Sequence, residues 1–481
     1  MRPTRVQRAA LAASCVLVLS ACGSSLSRHE IERAAGTQTV VGDGAATTGG
    51  TGGTGGTTTG TSSGGGTGST TAGSTGATTG ATTGGTGGGA TGGTVGTGGS
   101  STTGTSGGTA PGAPIVIAAV STLTGATGEA TKGVSQAAQA WVGKVNAAGG
   151  IAGHKFQIIV VDDGGDTNRH LQLVKQMVEQ YHAVALVGSA ETSTQSQQAV
   201  SYLESKGVPT IGDDASNSFG YKSKMIFPAV TAAQLYTTAI SFGFASLAHK
   251  DNLKKIALIT CVEASVCQGA YDNFEKEMNR VSLTPVYKTQ TSVTNPDFTA
   301  QCIAARNAGA ELLSVGMDFN SVRRVVNSCK QQGYTPKFIT PAVGPGMEKE
   351  DLFQGVYIGW MSFSPFNADT PAIQEFQAAM GRYQNDAGIN LEHAVGWTGA
   401  KLFEKALTLA KLTSKPVTSA DVLRGLWQIK GDTLGGLTGP LTFTKDKPAT
   451  QVFCFIGIQV KDHKFVNASG SSPTCQAPPK L

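Results

Sequence analysis

Residues 115–161 read IVIAAVSTLTGATGEATKGVSQAAQAWVGKVNAAGGIAGHKFQIIVV, and this stretch decides the fold. Ile115 to Val120 is a short apolar run, which predicts a buried strand. Apolar residues then recur at helical spacing from Val134 to Val145, and Gly149-Gly150 ends that helix. A second apolar run, Phe156 to Val161, returns the chain to a strand. This order is the βα unit of a parallel sheet and predicts an α/β fold.

The same alternation continues to the end of the chain. Before a connection near residues 227–231 it predicts helices over 171–179 and 193–206 and strands over 183–187 and 208–211. After it come strands over 255–260, 285–289, 312–315 and 337–340, with helices over 234–248, 268–280, 298–307, 322–332, 372–383, 391–410 and 419–428. This length exceeds one ordinary α/β core. The sequence therefore predicts two doubly wound parallel-sheet lobes.

The N-terminus has the layout of a secretory signal. Three arginines precede a short apolar run, Ala9 to Leu19, which is too short to span a bilayer. The tetrad Leu19-Ser20-Ala21-Cys22 resembles a bacterial lipobox. That resemblance implies cleavage after residue 21 and lipidation of Cys22, and it places the protein on the outer face of the bacterial cytoplasmic membrane. The alternative is an ordinary secretory signal with a coincidental cysteine.

Residues 22–113 are predicted to be a linker. From Gly44 to Pro114 there is no charged residue and scarcely a large apolar one, and Gly, Thr, Ser and Ala make up nearly all of the tract. Such a composition cannot bury enough surface to offset its chain entropy. We therefore expect a disordered segment between the lipidated Cys22 and the folded part.

Six cysteines remain once Cys15 leaves with the signal and Cys22 takes the lipid. An even number outside the cytoplasm favours disulfides, although six cysteines allow 15 pairings. Sequence proximity favours one pairing set, which is Cys261 with Cys267, Cys454 with Cys475, and by remainder Cys302 with Cys329. No C-x-x-C occurs, so zinc and redox functions receive no support.

Charge and motifs argue against several function classes. The net charge of +5 falls to +2 without the three signal arginines, which gives nucleic-acid binding no support. The chain has no H-E-x-x-H, G-x-S-x-G or P-loop motif. Asp162-Asp163 fits strand-end turns better than a metal site. We therefore expect a binding protein that is not an enzyme and has neither a metal nor another cofactor.

Several short motifs match a known family in order and spacing. They are Thr124-Gly125, Asn146 to Gly153 with Asp162-Asp163 after the next strand, Val187-Gly188-Ser189 with Thr192 to Gln195, Gly207-Val208-Pro209, Gly396-Trp397 and Gly439 to Phe443. In these positions the chain resembles the substrate-binding proteins of branched-chain amino-acid ABC transporters, the Leu/Ile/Val-binding family. The resemblance covers Pro114 to Leu481. It implies a type I periplasmic binding protein fold, with lobe 1 in residues 114–231 and 363–440, lobe 2 in 232–362 and 441–481, and three crossovers between them.

The resemblance also implies a ligand cleft between the lobes. Strand-to-helix turns at the carboxyl ends of parallel strands commonly hold ligands, because helix N-termini present unpaired N–H groups there. Such residues also serve as helix caps, which is the alternative for each of them. The predicted ligand-binding residues are Thr124, Thr127, Thr192, Ser193, Asp214, Ser216, Asp318 and Phe319.

Two positions depart from the family pattern. The family's carboxylate-holding serine falls on Glu191 or Thr192, and its amine-binding glutamate falls near Ala342. A glutamate would repel a ligand carboxylate, so either Thr192 and Ser193 hold that group or the ligand is not a simple α-amino acid. Asp214 or Asp318 could supply the counter-charge for an amine from another direction. The function implied is capture of a branched-chain amino acid, or a related amide or carboxylate, for ABC permease subunits in the membrane. The alternative is a receptor of the same fold that senses its ligand and signals to a membrane partner.

Overall fold

A computed structural model describes residues 114–125, 128–190, 193–212, 221–231, 235–385, 388–413, 415–468 and 470–478, without the side chains of residues 129, 130, 193–196 and 265. The predicted signal peptide, lipidation site and linker lie outside these residues. So do five positions named above, which are Thr127, Glu191, Thr192, Asp214 and Ser216. In the described part of the chain, no helix is both long enough and apolar enough to cross a membrane.

The first sheet has five strands in the order β2-β1-β3-β4-β5, all parallel. Its elements are β1 (Ile115–Ser121), α1 (Gly128–Ala147), β2 (Phe156–Asp162), α2 (Thr167–Glu179), β3 (Leu186–Val187), α3 (Ser193–Lys206), β4 (Thr210–Ile211) and β5 (Ile226–Phe227). Alternate residues of β1 enter two different cores, because side chains of a strand point to opposite faces. Both faces of this sheet are therefore covered.

The second sheet is larger and mixed, with the order β14-β13-β10-β9-β8-β6-β7 and β15 paired to β13. The elements from here on are α4 (Tyr236–Lys250), β6 (Lys255–Thr260), α5 (Ser265–Arg280), β7 (Thr284–Gln290), α6 (Thr299–Asn307), β8 (Leu312–Gly316), α7 (Phe319–Gln331), β9 (Lys337–Thr340), β10 (Tyr357–Trp360), α8 (Pro371–Tyr383), α9 (Leu391–Leu409), α10 (Ser419–Leu426), β11 (Lys430–Asp432), β12 (Leu441–Thr442), β13 (Phe453–Lys461), β14 (Lys464–Asn467) and β15 (Thr474–Gln476). Strands β6 to β10 are parallel, and β13 joins β10 antiparallel. The predicted α/β class with parallel sheets is confirmed.

The chain passes between the two sheets three times among the described residues. It crosses after β5 and returns after β10, where α8, α9 and α10 pack with α1 on one face of the first sheet in what we call the first core. It then crosses again to β13. Leu441, Phe443 and Val452 pack in the first core. The last crossing therefore lies between β12 and β13, later than the predicted boundary after residue 440.

Helix α9 packs very close to α1 and to the first sheet. A side chain on Gly396 would meet the Val134 carbonyl of α1, and one on Gly399 would meet Gly212 at the end of β4. Trp397, between these glycines, is fully buried and packs edge-on against Phe376 with ring centroids 5.6 Å apart. The Gly396-Trp397 pair thus lets α9 approach both the helix and the sheet.

The six cysteines that were predicted to form disulfides lie close together as three pairs. The Cα atoms are 5.3 Å apart for Cys261 and Cys267, 5.0 Å for Cys302 and Cys329, and 4.1 Å for Cys454 and Cys475. These separations are the ones a disulfide needs, within a few tenths of an ångström. This is the pairing set that sequence proximity favoured.

Candidate ligand-binding cleft

A cavity of about 500 Å³ opens at the carboxyl ends of β6, β8 and β9. Its volume lies within the range of small-molecule sites. The strand ends contribute Thr260 and Cys261, then Gly316 to Phe319, then Pro341 to Pro345. The N-terminus of α9 adds Asn390, Leu391 and Glu392 from the connection with the first lobe. The described part of this site therefore lies on the second lobe and on one segment that leads to the first.

Asp318 and Phe319, two of the predicted ligand-binding residues, line the mouth of this cavity. Asp318 is the N-cap of α7, and its carboxylate accepts hydrogen bonds from the backbone N–H groups of Asn320 at 2.9 Å and Ser321 at 3.1 Å. The Ser321 hydroxyl donates to the other carboxylate oxygen at 2.5 Å. The structure thus realises the capping alternative, and a carboxylate has acceptor sites left for a ligand.

Phe319 is fixed by its neighbours. Its ring centroid lies 5.4 Å from that of Phe353, and a side chain on Gly344 would overlap the Phe319 ring. The Arg323 guanidinium lies over the same ring at 5.1 Å. Glycine at position 344 is therefore required for the loop after β9 to cover Phe319, and the ring forms a firm wall.

A second carboxylate, Glu263, also lines the cavity. It accepts hydrogen bonds from the Ser292 hydroxyl at 2.6 Å and from the Val293 backbone N–H at 3.0 Å. Burial alone would raise the pKa of Glu263, but these bonds favour the charged form and hold the pKa below its ordinary value. Glu263 therefore ties the loop after β6 to the loop after β7 and carries a negative charge at neutral pH.

The positive charge at the mouth is already compensated. Arg323 lines the cavity, and its two terminal nitrogens bind the Glu350 carboxylate at 2.5 and 2.7 Å. A bidentate pair of this kind satisfies most of both charges. Since Glu263, Asp318 and Glu392 also line the site, its described rim is acidic.

The first turn of α9 is built around a buried histidine. The Asn390 side chain caps this helix, and the Asn390 backbone N–H donates to His393 Nδ1 at 3.1 Å. His393 Nδ1 also lies 2.7 Å from the Asn390 side-chain oxygen, and His393 Nε2 lies 3.1 Å from the Gln136 side-chain oxygen on α1. Burial lowers the pKa of His393 to about 4, and the nearby Lys132 acts in the same direction. The neutral imidazole therefore joins α9 to α1 next to the cavity mouth.

On the first lobe, Asp162 organises the carboxyl ends of β1 and β2. Its carboxylate accepts from the Thr124 hydroxyl at 2.5 Å and from the backbone N–H groups of Leu123 and Gly164 at 2.8 and 2.9 Å. Burial would raise the pKa of Asp162, but these bonds hold it below its ordinary value. The Thr124 hydroxyl hydrogen is thus committed to Asp162, and only its oxygen remains to accept from a ligand.

The neighbouring Asp163 is part of a buried structural network. Its carboxylate accepts from the Thr122 hydroxyl at 2.8 Å and contacts His170 Nδ1 at 2.8 Å. Asp163 and His170 are both fully buried. Asp162 and Asp163 therefore hold turns and helices in place, and among the described residues no group of three or more side chains could hold a metal ion.

Of the predicted ligand-binding residues, the structure brings Asp318 and Phe319 together and places Thr124 at the first sheet. Ser193 begins α3, where only its backbone is described. Ala342 lines the cavity, so the family's glutamate position carries no charge in the site. Sequence reasoning missed Glu263 and Glu392. Glu263 could have been found from its place directly after a predicted strand, whereas Glu392 enters the site only through the tertiary fold.

Comparisons with known proteins identify the architecture. A family model described as "Periplasmic binding protein" matches residues 114–464. A curated relative, an amino acid binding protein of Pseudomonas aeruginosa, is 24% identical over an alignment of 246 residues that covers 47% of this chain and 60% of the relative. The alignment thus spans less than two thirds of that relative's length.

Two solved structures share the fold. One is the branched-chain amino acid transporter substrate binding protein LivJ from Streptococcus pneumoniae in complex with isoleucine, with 18% identity, a TM-score of 0.59, and coverage of 76% of this chain and all of that one. The other is an ABC transporter solute binding protein from R. palustris in complex with benzoate, with 14% identity, a TM-score of 0.60, and coverage of 76% and 98%. The type I periplasmic binding fold expected from the sequence motifs is confirmed.

Proposed function

The chain belongs to the periplasmic binding protein family, and we propose that it captures a small solute outside the cytoplasm and delivers it to an ABC permease. The observation that carries this proposal is the cavity of about 500 Å³ at the carboxyl ends of β6, β8 and β9. Such strand ends are where open parallel sheets hold ligands. The motifs of the Leu/Ile/Val-binding family favour an amino acid or a related amide or carboxylate as the solute.

The charges at the mouth favour a ligand group that donates hydrogen bonds. Glu263 and Asp318 present carboxylates, while Arg323 is paired with Glu350. These two carboxylates supply the negative charge that an amine requires and that Ala342 does not provide. A ligand carboxylate would be repelled here. It would instead fit the N-terminus of α3 on the first lobe, because the positive end of a helix dipole favours anions.

Capture would proceed by closure of the lobes. A solute that touches both the second-lobe cavity and the first-lobe loops makes its full set of contacts only in the closed form. It therefore shifts the population toward that form, which is the one a permease has to recognise. The three crossings of the chain are the segments about which the lobes would move.

The proposed location rests on the N-terminal motif. Lipidation of Cys22 and removal of residues 1–21 would leave the folded part on the outer face of the membrane, joined through the linker of residues 22–113. The close cysteine pairs fit this compartment, because disulfides persist in oxidising surroundings. Cys22→Ala should release the protein from the membrane fraction or leave it unprocessed, and unchanged retention with correct cleavage would contradict the anchor.

The test of the function is mass spectrometry of small molecules retained by the purified protein, together with a pull-down of membrane partners. We expect one retained solute, and permease subunits in the pull-down. A retained solute with a signalling partner in place of a permease would favour the sensing receptor. A protein that retains and binds no small molecule would overturn the proposal.

A further inference from the structure

The cavity does not stop at the strand ends but continues along one face of α5. Its lining residues on this helix recur at helical spacing, and they are Val266, Cys267, Ala270, Phe274, Glu277 and Met278. From Ala264, just before the helix, to Glu277 the rise is about 20 Å at 1.5 Å per residue. Opposite them, α4 contributes Tyr236, Ile240 and Phe244. The cavity is therefore a channel between α4, α5 and the sheet.

Small residues line the part of the channel nearer the strand ends, whereas Phe244, Phe274 and Met278 line its far part and belong to a buried hydrophobic cluster. On β8, Ser314 and Gly316 face the channel, whereas Leu313 and Val315 point to the opposite face of the second sheet and are fully buried in a hydrophobic cluster there. Ala270 faces them from α5. Protein interiors seldom leave voids larger than a water molecule. An opening of about 500 Å³ with mostly apolar walls is thus a built site.

An ion pair marks the inner end of the channel. Glu277 is 5% exposed, and both of its carboxylate oxygens accept from Arg280, at 2.9 and 3.2 Å. Arg280 also donates to the Thr238 hydroxyl of α4 at 3.3 Å, which joins the two helices at this level. The charges there already satisfy each other. A ligand that reaches this end needs no charged or polar group of its own.

We propose that the solute carries a slender alkyl or acyl chain, which this channel holds while the polar end stays at the cleft. The proposal rests on the proposed function and names the ligand class of the same site. The lining runs for about 20 Å along α5, and the whole cavity of about 500 Å³ has room for one hydrocarbon chain beside a polar end group. A free branched-chain amino acid would leave the inner part of the channel empty.

The first test is calorimetry of the full chain with two series of probes, the n-alkylamines and the alkanoates from four to twelve carbons. We expect the affinity to rise about fourfold for each added methylene in at least one series, because burying a methylene contributes ~0.8 kcal/mol. Affinity that is independent of chain length, or no binding in either series, would overturn the proposal.

The second test blocks the channel. Ala270→Trp fills it midway, and Asn273→Trp places the same side chain on the exposed face of the same helix as the matched control. We expect Ala270→Trp to abolish the gain from longer chains and Asn273→Trp to leave it unchanged. Ala270→Leu serves as the milder block if the tryptophan variant does not fold. Equal chain-length dependence in a folded blocked variant and in the wild type would refute the channel.

The outcomes of these tests distinguish failure of the channel proposal from failure of the proposed solute capture. A retained natural solute without an apolar chain, bound equally by the wild type and Ala270→Trp, would overturn the inference and leave solute capture intact. A wild-type protein that retains and binds no small molecule at all would overturn both.

Discussion

Lowering the pH should destabilise the protein through His393. In the folded chain this imidazole is 1% exposed, and its burial lowers its pKa from 6.5 to about 4. Between these values the unfolded state binds a proton that the folded state excludes, so the stabilisation is complete above pH 6.5 and is lost as the pH falls toward 4. At ~1.4 kcal/mol per pH unit the free energy of unfolding should decrease by about 3 kcal/mol over this window.

The assay is urea denaturation at a series of pH values, with His393→Gln as the control. Glutamine has an acceptor and a donor for the Asn390 N–H and the Gln136 side chain but does not titrate in this range. The difference between the two proteins therefore isolates the histidine from the acidic groups that titrate lower. If the difference in the free energy of unfolding between the wild type and His393→Gln stays constant from pH 7 to pH 4, the reasoning is refuted.

Three further predictions concern packing, cysteines and the mouth of the site. Gly396→Ala forces a methyl group against the Val134 carbonyl and should lower the free energy of unfolding by ~1 to 3 kcal/mol, whereas Gly381→Ala on the open face of α8 should raise it by ~0.5 to 1 kcal/mol, both measured by denaturation. Thiol labelling of the denatured, unreduced protein should find none of the six paired cysteines free, and two or more reactive thiols would contradict the pairing. Phe319→Ala should weaken binding of the retained solute by about tenfold in calorimetry, since it removes an apolar wall of the mouth, and lost apo stability with unchanged affinity would show that the ring is only core.

The sequence was most informative where apolar periodicity and strand pairing coincide. The helix over 193–206 and the strand over 337–340 were predicted to the residue. The strand predicted over 183–187 is assigned only at Leu186 and Val187, although Val184 and Ala185 also form backbone hydrogen bonds with β1 and all five residues are buried. The short strand β10 gave no prediction, since its place in the sheet is set by β9 and β13 on either side.

The starts of helices were also predicted less well than their middle parts. The periodicity predicted a helix from residue 322, but Asp318 caps the helix and it begins at Phe319. The apolar stripe misses the first turn of a helix, whereas cap chemistry marks it. Within the site, the resemblance to the Leu/Ile/Val-binding family pointed to Asp318 and Phe319, and both line the cavity. The resemblance did not point to Glu392 or to the channel along α5. Glu392 enters the site only because the fold brings the start of α9 there, and the channel depends on small residues that leave space.

A crystal structure of the full chain with its retained solute tests the central claim most directly. We predict electron density for the solute at the carboxyl ends of β6, β8 and β9, in contact with Phe319, and with atoms of the first lobe closed onto its other end. A solute bound elsewhere on the protein, with the cavity beside Phe319 filled only by water, would contradict the account.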